Sequence, residues 1–242
     1  AKNLVKCVER CDLTADQLIF SSLASSYAVL TDDEKELGVC VVDIGGGTID
    51  IVIYTDGAIR HTAVVPAAGN QITSDIAKIF RTPISHAEDI KINYACAMKD
   101  MVSMEENIEV HSVGGRPSRA MSRHTLAEVI EPRYQELFEL VQKEIRNSGF
   151  EEQIAAGIVL TGGTAKMEGA IEFAEEIFQM PVRVGEPLSI KGLSEYVEDP
   201  TFATAIGLLQ YGKEHIKAKT AAKSKTSEGV WERIQSWFKG EF

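Results

Sequence analysis

The stretch VVDIGGGTID, residues 41–50, decides the fold. Its apolar residues 41–44 predict a buried β-strand, and the apolar run at residues 51–54 predicts a second strand soon after the glycines. Glycine carries no Cβ, so the backbone N–H groups of such a turn are able to approach a bound phosphate closely. Three glycines between two strands are most often only a hairpin turn, and this stretch alone leaves both interpretations open.

A second glycine-rich turn, IVLTGGTA at residues 158–165, follows more than a hundred residues later. It also starts with an apolar run that predicts a buried strand. The first turn has in addition an acid, Asp43, on its entry strand. Two such turns in one fold therefore favour nucleotide binding over two unrelated turns.

The bulk composition restricts the classes of protein to consider. With 242 residues, 44% of them hydrophobic, the chain is able to bury a substantial core in more than one lobe. A net charge of −11 argues against nucleic acid as a partner, because no general excess of cations is present to neutralise phosphates. The four cysteines lack the spacing of a zinc site, which favours a reducing cytoplasm, and no apolar run reaches the ~20 residues that span a bilayer.

The order of predicted elements indicates an α/β protein with an inserted α+β subdomain at residues 67–150. Three antiparallel strands over residues 38–66 predict a meander, and a predicted helix, strand and helix follow the second glycine turn. Four further local predictions are a strand at Gln17–Phe20, a loop at Thr31–Glu36, a helix capped by Ser85, and a helix break at Glu131-Pro132.

These segments, in this order, resemble the actin-like ATPase superfamily of actin, MreB, sugar kinases and heat-shock chaperone ATPases. Residues 43–50 are similar to its second phosphate loop, and residues 160–169 to its adenosine loop. Residues 21–30 and 200–209 resemble its two interdomain connectors, and residues 87–92 resemble a helix that contacts ribose and adenine. The resemblance implies an actin-like (ribonuclease H-like) nucleotide-binding lobe with an inserted small α+β subdomain.

The resemblance also implies a site for ATP and Mg²⁺. The cofactor-binding residues that it implies are Asp43, Gly45, Gly46, Gly47, Thr48, Glu88, Lys91, Gly162, Gly163, Thr164, Lys166 and Met167. The first glycine turn would give N–H groups to the β- and γ-phosphates, and the second would run beneath the α-phosphate and the sugar. Lys166 and Met167 would wall the adenine. Asp43 would hold Mg²⁺ through water, since Mg²⁺ keeps much of its hydration shell.

Three points about this site stay open in the sequence. Glu88 and Lys91, three residues apart on a predicted helix, would either contact ribose and adenine or form an ordinary exposed ion pair. Asp50 would lie near the attacking water or only cap the turn. Turnover of ATP is undecided, because the superfamily's water-positioning side chain belongs to a lobe that would precede this chain. We assign no catalytic residue.

More narrowly, the chain resembles the FtsA family of bacterial division proteins, in LASSYAVL at residues 23–30 and GVCVVDIGGGT at residues 38–48. A polar linker before a short amphipathic C-terminal helix extends the resemblance, and part of the first lobe would be missing from the N-terminal side. The implied domains are the end of the first lobe with its connector at 1–30, the nucleotide-binding core of the second lobe at 31–66 and 151–212, the small upper subdomain at 67–150, a flexible linker at 213–229 and a membrane-targeting helix at 230–242.

The tail of the chain predicts contact with a membrane. Residues 213–228 carry five lysines against two glutamates and few large apolar residues, which is typical of a flexible basic linker. At 100° per residue, one arc of the helix that follows would hold Val230, Trp231, Ile234, Trp237 and Phe238. A helix that docks back on its own domain is the alternative, and the long polar spacer disfavours it.

By resemblance, the partners are the C-terminal tail of FtsZ, further copies of the chain in an actin-like filament, other divisome proteins, and lipid at the cytoplasmic face of the inner membrane. The residues expected to contact the FtsZ tail are Arg119, Arg123, Arg133 and Glu136. These side chains are equally compatible with a solvated surface. The other functions considered are an actin-like assembly protein of the type-IV-pilus kind, and a phosphotransferase or chaperone ATPase, which the amphipathic tail disfavours.

Overall fold

The computed structural model describes residues 1–114, 116–188 and 197–215 of the chain. Its helices are α1 (Lys2–Glu9), α2 (Ser21–Val29), α3 (Asp32–Leu37), α4 (Gly69–Phe80), α5 (Ile84–Tyr94), α6 (Arg123–Ser148), α7 (Ala170–Phe178) and α8 (203–215). Its strands are β1 (Val39–Ile44), β2 (Ile49–Thr55), β3 (Ala58–Val65), β4 (Asn107–Val110), β5 (Arg119–Ser122), β6 (Ile158–Thr161) and β7 (Val182–Val184).

The described part of the chain ends inside the predicted linker. Helix α8 runs to residue 215, so it continues past the predicted start of the linker at residue 213. The rest of the predicted linker and the predicted membrane helix lie outside the described residues. None of the helices that the structure describes is both long enough and apolar enough to cross a membrane.

Five strands form one mixed sheet in the order β3-β2-β1-β6-β7. β1, β2 and β3 are antiparallel neighbours, which confirms the predicted meander. β6 pairs in parallel with β1, and β7 pairs in parallel with β6. In this register Asp43 lies opposite Thr161, so β1 and β6 end at the same level of the sheet. The mixed sheet, with helices on both faces, confirms the α/β fold class.

Helices cover both faces of the sheet, and β1 is therefore buried along its whole length. Cys40 and Val42 pack into a large core with α4, α6 and α7. Val39 and Val41 pack into a smaller core with α2 and α8. Because side chains alternate along a strand, Asp43 shares the second face with Val39 and Val41. A carboxylate thus enters the layer between the sheet and the helices α2 and α8.

The segment between β3 and β6 contains α4, α5, the hairpin β4–β5 and α6, and it contributes to the large core. We predicted a helix break at Pro132, and this prediction is wrong, because α6 continues through Pro132. An interior proline costs a helix about 3 kcal/mol. Pro132 is on the exposed side of α6, whereas eight other residues of this helix are buried, several of them large. Burial contributes about 1.5–3 kcal/mol for each large apolar side chain and outweighs that cost.

The prediction of a loop at residues 31–36 is also wrong, because α3 begins there. The Thr31 hydroxyl accepts a hydrogen bond from the Glu34 N–H, and the Glu34 carboxylate accepts one from the Thr31 N–H at 2.8 Å. This reciprocal capping box is what a Thr-x-x-Glu pattern signals. The acidic first turn, which includes Asp32 and Asp33, adds a favourable interaction with the helix dipole.

Two smaller predictions fail near the helix starts. Helix α5 begins at Ile84 with Pro83 as its N-cap, so Ser85 lies inside the first turn and makes no capping hydrogen bond. Residues 17–20 form no strand, and none of the described strands lies beside them to supply hydrogen bonds. Their apolar side chains Leu18 and Phe20 are exposed.

Helix α8 crosses α2 in direct backbone contact at Gly207. A Cβ at this position would overlap the carbonyl oxygen of Ala24. The buried residues of α2 are mostly small, which allows the close approach: Ser22, Ala24, Ser25, Ser26, Ala28 and Val29. Glycine at position 207 therefore sets the distance between the two helices.

We predict that Gly207→Ala lowers the free energy of unfolding by about 2 kcal/mol or more, because the added methyl group forces α2 and α8 apart. Gly212→Ala on the same helix is the matched control, since a Cβ there meets no described atom within 4 Å. Alanine is about 1 kcal/mol more favourable than glycine inside a helix, so Gly212→Ala should not destabilise the protein. Chemical denaturation of the intact protein measures both variants, and equal stabilities would contradict the α2–α8 contact.

Candidate functional site

The parallel pairing of β1 with β6 brings the two glycine turns together at one edge of the sheet. Between them and the α4–α5 pair opens a cleft of about 660 Å³. Ten of the twelve residues predicted to bind a cofactor line this cleft: Asp43, Gly45, Gly46, Glu88, Lys91, Gly162, Gly163, Thr164, Lys166 and Met167. Gly47 and Thr48 are not among its lining residues.

The first turn is held by hydrogen bonds of its carbonyl groups. The Gly45 carbonyl accepts from the Gly69 N–H at 3.1 Å and from the Thr164 hydroxyl at 3.0 Å, and the Gly46 carbonyl accepts from the Asn70 N–H at 2.7 Å. The Gly45 N–H donates to the Thr48 carbonyl at 3.0 Å. We expected this N–H to bind a phosphate, but in the structure it already has an acceptor. Within the described ranges, the N–H groups of Gly46 and Gly47 have no acceptor.

The second turn requires glycine at position 162 for two reasons. Gly162 has a φ of +86°, a backbone angle that residues with a side chain rarely adopt. In addition, a Cβ at this position would lie 2.5 Å from Asp43 Oδ1 and 2.6 Å from the Ile44 carbonyl oxygen. The turn is also fastened to α6, because the Tyr134 hydroxyl donates to the Thr164 carbonyl. The two glycine turns thus touch each other, and the long helix fixes the second one.

Asp43 is a buried carboxylate between the two turns, with 8% of its surface exposed. Its Oδ2 accepts hydrogen bonds from the Ser25 hydroxyl of α2 at 2.5 Å and from the Thr204 hydroxyl of α8 at 3.2 Å. Burial raises the pKa of Asp43, and the nearby Asp50 charge adds to this, while the two hydroxyls act in the opposite direction. No basic side chain of the described residues pairs with it. A lone buried carboxylate suits a site that receives a cation.

Asp50 lies on the strand after the first turn and directly opposite Asp43. Its Oδ1 accepts from the Ser21 hydroxyl at 2.9 Å, and its Oδ2 accepts from the Thr48 hydroxyl at 3.0 Å. Asp50 does not line the cleft. Within the described residues, Asp50 thus caps the turn and joins it to α2.

Glu88 and Lys91 form a partly buried network on the wall of the cleft opposite the glycine turns. Lys91 Nζ lies 2.9 Å from the Glu88 carboxylate and donates to the Thr73 hydroxyl at 3.0 Å and to the Gly69 carbonyl at 3.3 Å. Burial would raise the pKa of Glu88, but the hydrogen bonds from Lys91 and Thr73 and the Lys91 charge hold it below its ordinary value. Only 10% of the Lys91 side chain is exposed, so this is no ordinary surface pair.

Lys166, Met167 and Arg123 lie at the rim of the cleft. Lys166 pairs with Asp199, and Met167 follows it at the end of the second turn. Arg123 donates to the Tyr94 carbonyl at 2.7 Å and pairs with two acids, one of which, Glu168, also lines the cleft.

The other residues predicted to contact a partner have hydrogen bonds within the segment between β3 and β6. Arg119 of β5 donates to the Phe80 carbonyl at 2.5 Å. Arg133 of α6 donates to the Asp75 carboxylate at 2.6 Å and pairs with Glu136. Half-exposed Glu136 and partly exposed Arg133 remain reachable from solvent.

Four further residues of the site were missed in the sequence: Ser25, Asn70, Thr73 and Thr204. Asn70 and Thr73 lie in the first turns of the helix that follows the third strand; the Asn70 side chain lies against Gly46, and the Thr73 hydroxyl bonds Glu88 and Lys91. Ser25 and Thr204 are far apart in the chain, and only the packing of α2 and α8 against β1 brings them to Asp43.

The fold matches solved structures of low sequence identity. MreB5 of Spiroplasma citri bound to ADP aligns with a TM-score of 0.73 and 19% identity, over 90% of this chain and 66% of the other. The same protein bound to AMPPNP aligns with a TM-score of 0.71 and 21% identity, over 91% and 66%. The PilM–PilN type IV pilus biogenesis complex aligns with a TM-score of 0.64 and 18% identity, over 87% and 57%. These likenesses confirm the predicted actin-like fold.

The sequence comparisons are more specific. Two curated relatives, the cell division proteins FtsA of Pseudomonas aeruginosa and of Escherichia coli K12, are each 55% identical, over 250 and 253 aligned residues. Both alignments span the whole of this chain and 60% of the relative. A family model described as cell division protein FtsA matches residues 40–207. The chain therefore belongs to the FtsA family of cell division proteins.

Proposed function

We propose that the protein binds ATP together with Mg²⁺ in the cleft. The observation that carries this proposal is the contact of two glycine turns above one buried acid, Asp43, which has hydroxyl partners only. The first turn offers N–H groups at Gly46 and Gly47, and four of the residues that line the cleft, Gly45, Gly46, Gly162 and Gly163, carry no side chain.

The residues of the cleft fit the parts of the nucleotide. Gly162 and Gly163 would run beneath the α-phosphate and the sugar, and the Glu88–Lys91 pair would face the ribose. Asp43 would hold Mg²⁺ through water, because Mg²⁺ loses its hydration shell reluctantly and keeps several of its waters. When bound, the ion neutralises phosphate charge. MreB5, which is under 25% identical to this chain but has the same fold, has been solved with ADP and with AMPPNP bound. A nucleotide in this chain is consistent with that fold.

We predict that Gly46→Asp in the full-length protein weakens ATP binding by about 100-fold or more. A Cβ at position 46 would lie 3.1 Å from the Asn70 side-chain oxygen, beside the cleft. The added carboxylate would therefore lie near the proposed phosphates, and like charges ~4 Å apart repel by about 4 kcal/mol near a protein surface. Gly212→Asp adds the same charge on α8, where a Cβ meets no described atom within 4 Å, and should bind ATP like the wild type. Equilibrium binding of a fluorescent ATP analogue measures both. Equal affinities of the two variants would contradict the phosphate site.

We further propose that ATP binding favours an actin-like filament that anchors FtsZ to the cytoplasmic face of the inner membrane during septum formation. Family membership supports this function, and the tail pattern at residues 230–242 supports the membrane contact. The chain spans about 60% of the length of its curated relatives, so the proposal concerns the full-length protein. ATP would act chiefly as a ligand that closes the cleft, with weak turnover at most.

The contact with the acidic and hydrophobic tail of FtsZ is proposed at Arg119, Arg123, Arg133 and Glu136. Arg133 supports this best, because it is partly exposed and its bond to Asp75 fixes the guanidinium on the surface of α6. A peptide carboxylate would share that guanidinium with Asp75 and Glu136.

We predict that Arg133→Glu lowers the affinity for an FtsZ tail peptide by about tenfold or more, since it places a like charge opposite the peptide. Arg146→Glu on the same helix makes the same charge change at an exposed position outside the proposed contact, and should leave the affinity unchanged. Fluorescence anisotropy with the labelled peptide measures both, and thermal melting checks that each variant is folded. Unchanged binding by folded Arg133→Glu would contradict the contact.

A second function is supported by the likeness to the PilM–PilN complex. In this alternative the protein would be an inner-membrane assembly protein of the type-IV-pilus kind and would bind a different membrane partner's peptide. The same anisotropy experiment with a PilN-type peptide separates the two functions. Binding of that peptide without binding of the FtsZ tail would favour the alternative.

The predicted tail helix would bind a membrane weakly as a single copy. Burial of its five large apolar side chains would contribute roughly 8–15 kcal/mol at ~1.5–3 each. Ordering about ten residues costs ~1–2 kcal/mol apiece, which nearly cancels that gain. A filament that presents many tails would bind firmly through a high effective concentration. Assembly would therefore control residence at the membrane.

We predict that Trp231→Glu abolishes sedimentation of the full-length protein with vesicles of phosphatidylethanolamine and phosphatidylglycerol in the presence of ATP. The substitution places a charge in the apolar arc of the proposed helix. Gln235→Glu adds the same charge on the polar side and should retain most of the binding. Vesicle binding that survives Trp231→Glu would show that the tail is not the membrane contact.

A further inference from the structure

The two oxygens of the Asp43 carboxylate face different parts of the molecule. Oδ2 accepts the Ser25 hydroxyl at 2.5 Å and the Thr204 hydroxyl at 3.2 Å, and these hydroxyls lie 2.8 Å from each other. Oδ1 faces the second glycine turn, because a Cβ at Gly162 would come within 2.5 Å of it. Gly162 lines the cleft. Oδ2 is thus bonded to α2 and α8, and Oδ1 lies against the second glycine turn without either hydroxyl as a partner.

We infer that Ser25 and Thr204 are positioning residues, which hold Asp43 so that Oδ1 accepts a hydrogen bond from a water bound to Mg²⁺. This inference rests on the proposed binding of ATP and Mg²⁺. Groups that orient a metal-binding side chain affect metal affinity without touching the ion.

The chemistry of the two partners favours this role. Hydroxyl groups donate hydrogen bonds but carry no charge, so they fix the carboxylate and leave its negative charge available to a cation. A lysine or arginine at either position would pair with Asp43 and compete with the ion. Ser25 is fully buried and Thr204 is partly buried, so the packing of α2 and α8 restricts both hydroxyls.

The helices that carry these hydroxyls are themselves fixed. Ser21 of α2 donates to Asp50 at 2.9 Å, and the Ser26 hydroxyl lies 2.7 Å from the Tyr54 hydroxyl of β2. α8 is held against α2 by the contact of Gly207 with Ala24. Hydrogen bonds therefore fix α2 to β1 and β2, and the Gly207 contact fixes α8 to α2. The packing of both helices thus determines where the hydroxyls meet Asp43.

The test measures the Mg²⁺ concentration needed for nucleotide binding in the wild-type full-length protein and in three variants. Thr204→Val replaces the hydroxyl by a methyl group of similar shape, Thr204→Ser keeps the hydroxyl, and Ser25→Ala removes the shorter hydrogen bond. Binding of a fluorescent ATP analogue is measured with EDTA and over a titration of Mg²⁺, and thermal melting checks the fold.

We expect the Mg²⁺ midpoint, the Mg²⁺ concentration that gives half-maximal binding of the analogue, to rise about tenfold in Ser25→Ala, which is the low end of the effect of groups that orient metal ligands. In Thr204→Val, which loses the longer hydrogen bond, the midpoint should rise several-fold. Thr204→Ser should keep the wild-type midpoint. In EDTA the affinity of Ser25→Ala should change by less than about twofold, because Ser25 does not line the cleft and the glycine turns are intact. Thr204 lines the cleft, so Thr204→Val is compared with Thr204→Ser through the ratio of the affinity in saturating Mg²⁺ to the affinity in EDTA. If Ser25→Ala does not fold, the Thr204→Val and Thr204→Ser pair decides the question alone.

Two results would overturn the inference while the proposed function stands: an unchanged Mg²⁺ midpoint in folded Thr204→Val and Ser25→Ala, or an equal loss of affinity with and without Mg²⁺, which indicates a structural role only. Failure of the proposed function looks different. In that case the wild-type protein itself binds no nucleotide, or binds it equally well with EDTA, and both statements are then wrong.

Discussion

The parallel pairing of β1 with β6 is the constraint on which the rest of the site depends. These strands are far apart in the chain, yet Asp43 and Thr161 lie opposite each other, and each strand ends in a glycine turn. Since the turns leave the sheet at the same level, Gly162 lies against the Asp43 carboxylate and closes the floor of the cleft. A shift of this register would separate the turns and remove the cleft.

The inserted segment supplies the opposite wall and is fastened to both turns. The Gly69 N–H at the start of α4 donates to the first turn, and Tyr134 of α6 donates to the second. Helix α6 continues through Pro132 because its apolar side chains are buried on both sides of that residue. The cleft is thus formed by segments that share one continuous core, and its geometry follows from that packing.

Patterns of neighbouring residues predicted the strands of the meander and both glycine turns, and the resemblance to the actin-like superfamily implied ten of the residues that line the cleft. The errors have particular causes. The capping box of Thr31 and Glu34 was a readable signal that we overlooked. The continuity of α6 could not be read locally, because burial in the core outweighs the local preference of Pro132. Ser25 and Thr204 carry no local signal, since their meeting at Asp43 is a product of tertiary packing.

A crystal structure of the intact protein with a nonhydrolysable ATP analogue and Mg²⁺ tests the central claim most directly. We expect the triphosphate between the turns at Gly46 and Gly163, with a metal-bound water on Oδ1 of Asp43. An analogue bound elsewhere, or a cleft without the analogue at saturating concentration, would contradict it.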